Sequence, residues 1–326
     1  MEMSGDDELR VVSYNIFFGK LNTDSNNDID LRIQTLCAQI LSLDADVVCL
    51  QEVLPDRLER IKYLTSHVYP YANPEHVTQS YDTVILSRYP FIKKAKINFS
   101  ISRMGRSINW VCIKSPIDPK RLIGIANSHL ESEFGNELSE QNTKTMQYAE
   151  AEDILNQIAM ACNVNDTIFC GDFNAHNDLS DDSLMKYFKY SNSVNEIGWK
   201  DSWIEFGSDS AKECTFDSTS NPMLIQMHSK SENPPRYISR LDRILHKSSL
   251  HVQSFDMIRS DLLISDHYPI VVDFGMHKPN NQCDYSENLA KHVSRIKLSS
   301  QSASASSKVS DPKRTKFQKV SLFKPR

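Results

Sequence analysis

The stretch Thr167-Ile168-Phe169-Cys170-Gly171-Asp172-Phe173-Asn174 is an apolar run that closes on a glycine and then presents a carboxylate and an amide two residues apart. A β-type run of this kind leaves its polar residues at the strand end, where α/β proteins place groups that meet ligands. Asp172 can accept a proton or orient a water, and Asn174 can hold both in place through its amide. Other segments have the same form. Leu9-Arg10-Val11-Val12-Ser13-Tyr14-Asn15 delivers Asn15, Ala45-Asp46-Val47-Val48-Cys49-Leu50-Gln51-Glu52 delivers Gln51 and Glu52, and Leu122-Ile123-Gly124-Ile125-Ala126-Asn127 runs into His129. Further on, Arg240-Leu241-Asp242-Arg243 and Ser265-Asp266-His267 add acids and another histidine.

Gathered at one point, these residue types suit hydrolysis of a phosphodiester, which needs a divalent cation, an acceptor for a water proton and donors for the pentavalent transition state. Mg²⁺ prefers oxygen ligands and keeps much of its water, so one or two carboxylates such as Glu52 suffice to hold it. Asp172 would activate or orient the water, with Asn174 and Asn15 holding it and the phosphate. His267 would contact the phosphate as a cation, with Asp242 as the carboxylate an imidazolium needs. Each signal alone has an ordinary alternative: Ser-Asp-His and Gly-Asp-x-Asn arise by chance, a strand-end histidine is usually structural, and Glu52 alone reads as a solvated loop acid. Their order along the chain is the informative feature.

The elements that must position these residues follow from periodicity. Ile33, Leu36, Cys37, Ile40 and Leu41 recur on one helical face, predicting a helix over roughly 30–42 between the first two strands. Pro55 followed by Leu58, Ile61 and Leu64 predicts a second. Thr83–Ser87, Ile108–Ile113 and Leu122–Asn127 are short apolar strands separated by turn formers and predict an antiparallel meander. A long helix is expected over roughly 137–162, with Met146, Ala149, Ile154, Leu155, Ile158 and Ala161 toward the core, and a polar loop over 218–236.

Composition limits the rest. With 326 residues and 40% hydrophobic content the chain can bury an ordinary core. Its seven cysteines are odd in number and scattered, with no CxxC pair, which points to free thiols in a reducing compartment and away from zinc ribbons. The acidic N-terminus lacks signal-peptide character and no apolar run approaches a membrane span, so an intracellular protein, in nucleus or cytoplasm, is expected. Net charge is −5, yet the segment from His277 to Arg326 carries 11 Lys/Arg against three Asp/Glu, which leaves −13 on the rest. An acidic catalytic body with a basic tail fits a metal enzyme acting on a polyanion; a solvated acidic surface with a disordered solubilising tail fits the charge equally well. The expected organisation is a leader over 1–7, one domain over 8–275 and a basic, disordered tail over 276–326.

Ser13-Tyr14-Asn15, Leu50-Gln51-Glu52, Gly171-Asp172-Phe173-Asn174 and Ser265-Asp266-His267, in this order, resemble the signature of the endonuclease/exonuclease/phosphatase superfamily over roughly residues 8–275. The resemblance implies a four-layer α/β sandwich, two mixed, mainly antiparallel sheets flanked by helices, and Mg²⁺-dependent cleavage of phosphoesters, with Mn²⁺ as a substitute. Asn127-Ser128-His129-Leu130-Glu131-Ser132, Thr215-Phe216-Asp217 and Arg240-Leu241-Asp242-Arg243-Ile244 are most similar to the tyrosyl-DNA phosphodiesterase branch, which releases tyrosine from a 5′ DNA phosphate. On that basis Asn15, His129, Asp172, Asn174, Asp242 and His267 are expected in the catalytic set. Glu52 and the supporting acid Asp266 are expected at the metal, and Ser132 and Arg106 near the substrate. Where that branch presents Leu-Arg after Gly-Asp-x-Asn, this chain has Ala175-His176, so His176 takes the place of an arginine donor. The expected partner is DNA with a 5′ adduct, and the expected state a monomer. The alternatives are an endonuclease or an inositol or lipid phosphodiesterase of sphingomyelinase type, and, outside enzymes, an inactive binding module of the same fold.

Overall fold

The computed structural model describes residues 8–17, 19, 26–132, 137–175, 184, 188, 197–279, 283–292 and 294. The chain begins with strand β1 (Glu8–Asn15), helix α1 (Asn26–Ser42), β2 (Val47–Val53), α2 (Pro55–Thr65), β3 (Tyr71–Asn73) and β4 (Asp82–Ser87). It continues with β5 (Lys93–Asn98), β6 (Ser107–Lys114), β7 (Leu122–His129), α3 (Glu137–Cys162), β8 (Asp166–Asp172), β9 (Lys200–Asp201) and α4 (Ser202–Glu205). β10 (Phe216–Asp217), α5 (Pro222–Met227), β11 (Ile238–Ser239), β12 (Asp242–Lys247), β13 (His251–Met257) and β14 (Ile270–Gly275) complete these elements.

Two six-stranded sheets form, in the orders β13-β14-β1-β2-β4-β3 and β5-β6-β7-β8-β12-β9. Each is antiparallel except for a central parallel pair, β1 with β2 and β7 with β8. A parallel pair needs a crossover, which α1 supplies in the first sheet and α3 in the second. The two sheets therefore repeat one plan, an antiparallel hairpin, a β-α-β unit and two further antiparallel strands.

Strand alternation divides the core into three layers. Leu9, Val11, Val47, Cys49, Ile123, Ile125, Ile168 and Cys170 meet between the sheets. Val12, Leu50 and Val84 face the other way, against Ile33, Leu36, Ile40, Leu58 and Ile61 of α1 and α2, while Ala126 and Phe169 face Tyr148, Ala151 and Leu155 of α3. This is the expected four-layer α/β sandwich. α2 starts cleanly because Pro55 occupies its first turn after an extended Leu54.

Several local expectations change. Thr83–Ser87 does not join the meander: β4 pairs with β2 and β3 in the first sheet, and the antiparallel partners of β6 are β5 and β7. β5, Lys93-Lys94-Ala95-Lys96-Ile97-Asn98, is a lysine-rich edge strand whose exposure hides it from an apolar pattern. Met146 and Ala161 are exposed on α3, because its phase is set by polar contacts instead: Gln147 bonds Glu131 and Lys144 bonds the Asn174 carbonyl. The polar loop after Ser218 contains α5, capped by Asn221, whose side chain accepts from the Met223 and Leu224 amides.

Packing also extends past Gly275. In a helix over 285–292, Tyr285 accepts a hydrogen bond from the Asp201 amide, Asn288 donates to the Glu205 carbonyl and His292 meets the Trp203 ring edge-on. Their spacing puts all three on one helical face. Among the described residues no helix is long and apolar enough to cross a membrane, and Cys37, Cys49, Cys112, Cys162, Cys170, Cys214 and Cys283 are free thiols.

Candidate active site

The parallel pairs point the same way, so β1, β2, β7 and β8 bring Asn15, Glu52, His129 and Asp172 to one end of the sandwich. On β1, β7 and β8 alternation alone directs the functional side chain, since Asn15, His129 and Asp172 continue the rows that begin with Leu9 and Val11, Ile123 and Ile125, and Ile168 and Cys170. β2 is different. Gln51 continues the inward row of Val47 and Cys49, so a regular strand would send Glu52 out with Val48 and Leu50. Instead the register between β2 and β4 shifts between Leu50 and Val53, and Glu52 adopts a left-handed conformation with φ +60°. This bulge re-aims the carboxylate, and the Asn15 amide donates to it at 3.2 Å. On β8, Gly171 has φ +154° and a Cβ there would meet the Ser128 carbonyl oxygen at 2.0 Å, so only glycine fits beside β7.

Asn15 bridges the sheets. Its Nδ2 also donates to Asp172 Oδ2 at 2.9 Å, and its carbonyl accepts from Ser265 Oγ at 2.6 Å. Asp172 Oδ1 accepts from the Asn174 amide at 2.9 Å. Asn174 has φ +48°, which asparagine tolerates, and donates from Nδ2 to the Leu130 carbonyl at 3.0 Å. His267 Nδ1 lies 2.7 Å from Asp242 Oδ2, and its Nε2 lies 3.8 Å from Asp172 and 4.0 Å from Asp266. β12 supplies Asp242 directly opposite Asp172.

The two histidines are shifted in opposite directions. Burial and the neighbouring Arg106 guanidinium push His129 down to about 3, and its Nε2 sits 3.3 Å from Arg106 Nη2, so that nitrogen is the acceptor of a neutral ring. Burial also opposes charge on His267, but Asp242, through attraction and its hydrogen bond, and then Asp266 and Asp172, raise it well above the ordinary histidine range. The proton of the Asp242–His267 pair therefore sits on the imidazole. Burial works against ionised Asp172 too, and the surrounding histidines and amides reverse this and lower it. The charged His267 contributes to this beside the hydrogen bonds from the Asn174 amide and Asn15. Burial pushes Asp242 and Asp266 up.

Asp172, Asp242 and His267 each offer a ligand-type atom within 4.8 Å of the others, and with the His267 ring protonated the carboxylate oxygens are the donors available to a cation there. Asp242 Oδ1 is buried with no hydrogen-bond partner. Carboxylates at 52, 172, 242 and 266 gather around the charged His267 and the ring of His129. An oxygen-rich donor set with surplus negative charge fits a hard divalent cation.

The structure brings together Asn15, Glu52, His129, Asp172, Asn174, Asp242, Asp266 and His267. Arg106 joins them through His129, and Ser132 lies on the same flank, because Ser132 Oγ and Arg106 Nη2 both reach Met104 Sδ, at 3.3 and 3.4 Å. His176 lies outside the described residues. Two rings bordering the site were not anticipated. Tyr81, under the Arg106 guanidinium at 5.4 Å, lies 6.3 Å from His129, and Phe216 meets His267 edge-on at 5.2 Å. Phe216 falls within a motif already singled out, whereas Tyr81 precedes β4 in a polar segment without a pattern.

The fold, with its paired strand-end carboxylates, defines a metal-dependent hydrolase of phosphodiester bonds. The sequence matches the model of the Endonuclease/Exonuclease/phosphatase family over residues 12–267, and the chain belongs to that family. Among solved structures it is similar to TDP2 from C. elegans, with 23% identity, a TM-score of 0.63, and coverage of 82% of this chain and 75% of that one. D. rerio TDP2 complexed with a single-strand DNA product gives 22% identity, a TM-score of 0.63, and coverage of 83% and 100%. Beta toxin from Staphylococcus aureus gives 16% identity, a TM-score of 0.60, and coverage of 81% and 99%. A search of curated proteins finds no match.

Proposed function

We propose that the protein is a Mg²⁺-dependent phosphodiesterase that removes 5′-tyrosyl adducts from DNA ends. The observation that carries this is the junction made by Asn15, whose one amide touches Glu52 of its own sheet and Asp172 of the other. The reading is supported by the tyrosyl-DNA-type segments at 127–132, 215–217 and 240–244 and by likeness to TDP2 structures, one of them holding a DNA product.

Asp172, ionised at neutral pH, would accept a hydrogen bond from the attacking water and take its proton as the new P–O bond forms, while the P–O bond to the tyrosine phenolic oxygen breaks and the phenolate departs to take a proton from solvent. The Asn174 amide and Asn15 Nδ2 hold that carboxylate in place. His267, charged and braced by Asp242, would donate to a phosphate oxygen as negative charge grows there. His129, neutral, would donate from its buried Nδ1, which has no hydrogen-bond partner among the described residues and lies 3.9 Å from the Glu52 carboxylate. Arg106, Ser132 and His176 would contact the substrate. Glu52 and Asp266 would hold Mg²⁺, or Mn²⁺ in its place, and the cation when bound would neutralise the phosphate. The products are a 5′-phosphate and free tyrosine, a DNA-repair outcome suited to a monomeric enzyme in the nucleus or cytoplasm.

The deciding experiment compares a 5′-tyrosyl oligonucleotide, an abasic duplex, an inositol polyphosphate and sphingomyelin in one assay with and without EDTA. Metal-dependent cleavage of the first alone is expected. Resistance of the tyrosyl substrate beside turnover of another would move the protein to a different substrate class, and activity persisting in chelator would remove the metal from the reading.

A further inference from the structure

Between the apolar layer that joins the sheets and the site above it lies a thin polar layer made by Ser13, Gln51 and Asn127. Gln51 and Asn127 are both fully buried. Gln51 Nε2 donates across the gap to Asn127 Oδ1 at 2.8 Å, and within its own sheet approaches Ser13 Oγ at 3.2 Å and the Cys49 carbonyl at 3.1 Å. Asn127 Nδ2 returns two bonds to the first sheet, to the carbonyls of Leu50 at 2.8 Å and Val84 at 3.0 Å. Leu50 and Val84 are the register pair directly before the β2 bulge. Gln51 precedes the left-handed Glu52, and Asn127 lies two residues before His129 on the same strand face.

A buried amide pair stabilises little over an apolar pair of the same shape. Its geometry does something an apolar pair cannot. It fixes the bulge of the first sheet against the strand of the second at a defined distance and register, directly below the two strand ends that make the site.

We propose that Gln51 and Asn127 are positioning residues that hold Glu52 at the separation from His129 and Asp172 that metal binding requires. The inference rests on Glu52 being a metal ligand, as proposed above. Groups that hold metal ligands in place commonly contribute about 10- to 100-fold to metal affinity or activity.

The test uses the full chain, with Mn²⁺ binding followed by the electron paramagnetic resonance of free Mn²⁺, beside kcat, KM and Tm. Gln51→Met strands Asn127 Oδ1, so Tm should fall and Mn²⁺ affinity should drop by about 10-fold or more. Gln51→Met with Asn127→Leu removes both side-chain amides and also takes the donor from the Leu50 and Val84 carbonyls, so Tm should stay low, and Mn²⁺ affinity and kcat should stay low with it while KM changes little. A merely structural pair would lower Tm and leave Mn²⁺ affinity alone, so wild-type Mn²⁺ affinity in the folded double variant would overturn the proposal. If either apolar variant fails to fold, Gln51→Asn with Asn127→Gln keeps every donor and the total reach but moves the junction by one methylene. That protein should fold with several-fold weaker Mn²⁺ binding, and unchanged binding would again overturn it. Glu52→Gln is the control: loss of Mn²⁺ binding there, with none in the Gln51 variants, rejects the positioning role alone, whereas unchanged binding in Glu52→Gln rejects the ligand reading and this inference with it.

Discussion

The two β-α-β units of the molecule share a plan and end in the same kinds of residue, yet they present their carboxylates by different means. In the second unit, regular strands deliver His129 and Asp172, and Asp172 ends up buried, with hydrogen bonds from Asn15 and Asn174. In the first, a regular strand would have turned Glu52 toward the helices, and a bulge with a left-handed backbone brings it back. Its side chain keeps 15% of its surface, against 3% for Asp172. A carboxylate that must keep its ionisation and angle toward a water gains from a closed web of donors. One that must exchange water for a cation gains from being open and aimed by backbone strain. On the proposed mechanism, the two halves of one repeated plan divide the work between proton acceptance and metal binding.

Removing each carboxylate charge should break the symmetry most sharply. Asp172→Asn is expected to lower kcat by about 10³-fold or more with the fold intact, because the proton acceptor is gone, while Mn²⁺ affinity changes less. Glu52→Gln should do the reverse, weakening Mn²⁺ binding strongly and losing part of its rate deficit at high Mn²⁺. Steady-state rates over a Mn²⁺ titration check both, and identical Mn²⁺ profiles for the two variants would dissolve the proposed division.

The same contrast marks what could be read from the sequence. Asn15, His129 and Asp172 were legible because each ends a β-branched or aromatic run in phase with its apolar residues. Glu52 was legible as a strand-end acid, but its direction was not, since no residue type announces a bulge. β5 escaped notice because three of its six residues are lysines on an exposed edge. The assignment of β4 to the first sheet depends on a long-range pairing with β2 that local pattern does not carry. On α3 the apolar pattern points Met146 and Ala161 inward, whereas Lys144 and Gln147, polar residues, take inward positions in the structure. Tyr81 comes to His129 only through the path of its loop.

A smaller effect separates the two histidines. His129, held down to about 3, refuses between that value and the ordinary 6.5 a proton that the unfolded chain binds. Stability should therefore fall as pH drops through this window. His267 behaves oppositely: raised well above its ordinary value, it contributes stability fully present below about 6.5 and lost as pH rises through its folded pKa. Imidazole NMR shifts should show His129 neutral at pH 5 and His267 titrating well above 6.5, and His129→Gln should flatten the acid side of the Tm–pH profile. A His129 that titrates near 6.5 would contradict the neutral ring that Arg106 requires.

The smallest effect tests the bulge itself, and it should differ in sign between the halves. At Glu52 the backbone sits at φ +60°, a conformation that costs an ordinary L-residue about 1–2 kcal/mol and glycine almost nothing. At Asp172 the backbone is regular strand, where glycine is about 0.5–1 kcal/mol worse than alanine. Both substitutions delete the carboxylate, so comparing glycine with alanine at each position cancels that loss and leaves the backbone contribution. Glu52→Gly should be more stable than Glu52→Ala, by about 1 kcal/mol or less once glycine's greater unfolded-state entropy is counted. Asp172→Gly should be less stable than Asp172→Ala. Urea unfolding midpoints of the four variants decide it. A glycine penalty at both positions would mean that Glu52 is not held by backbone strain, and the difference between the two carboxylates would then rest on side-chain contacts alone.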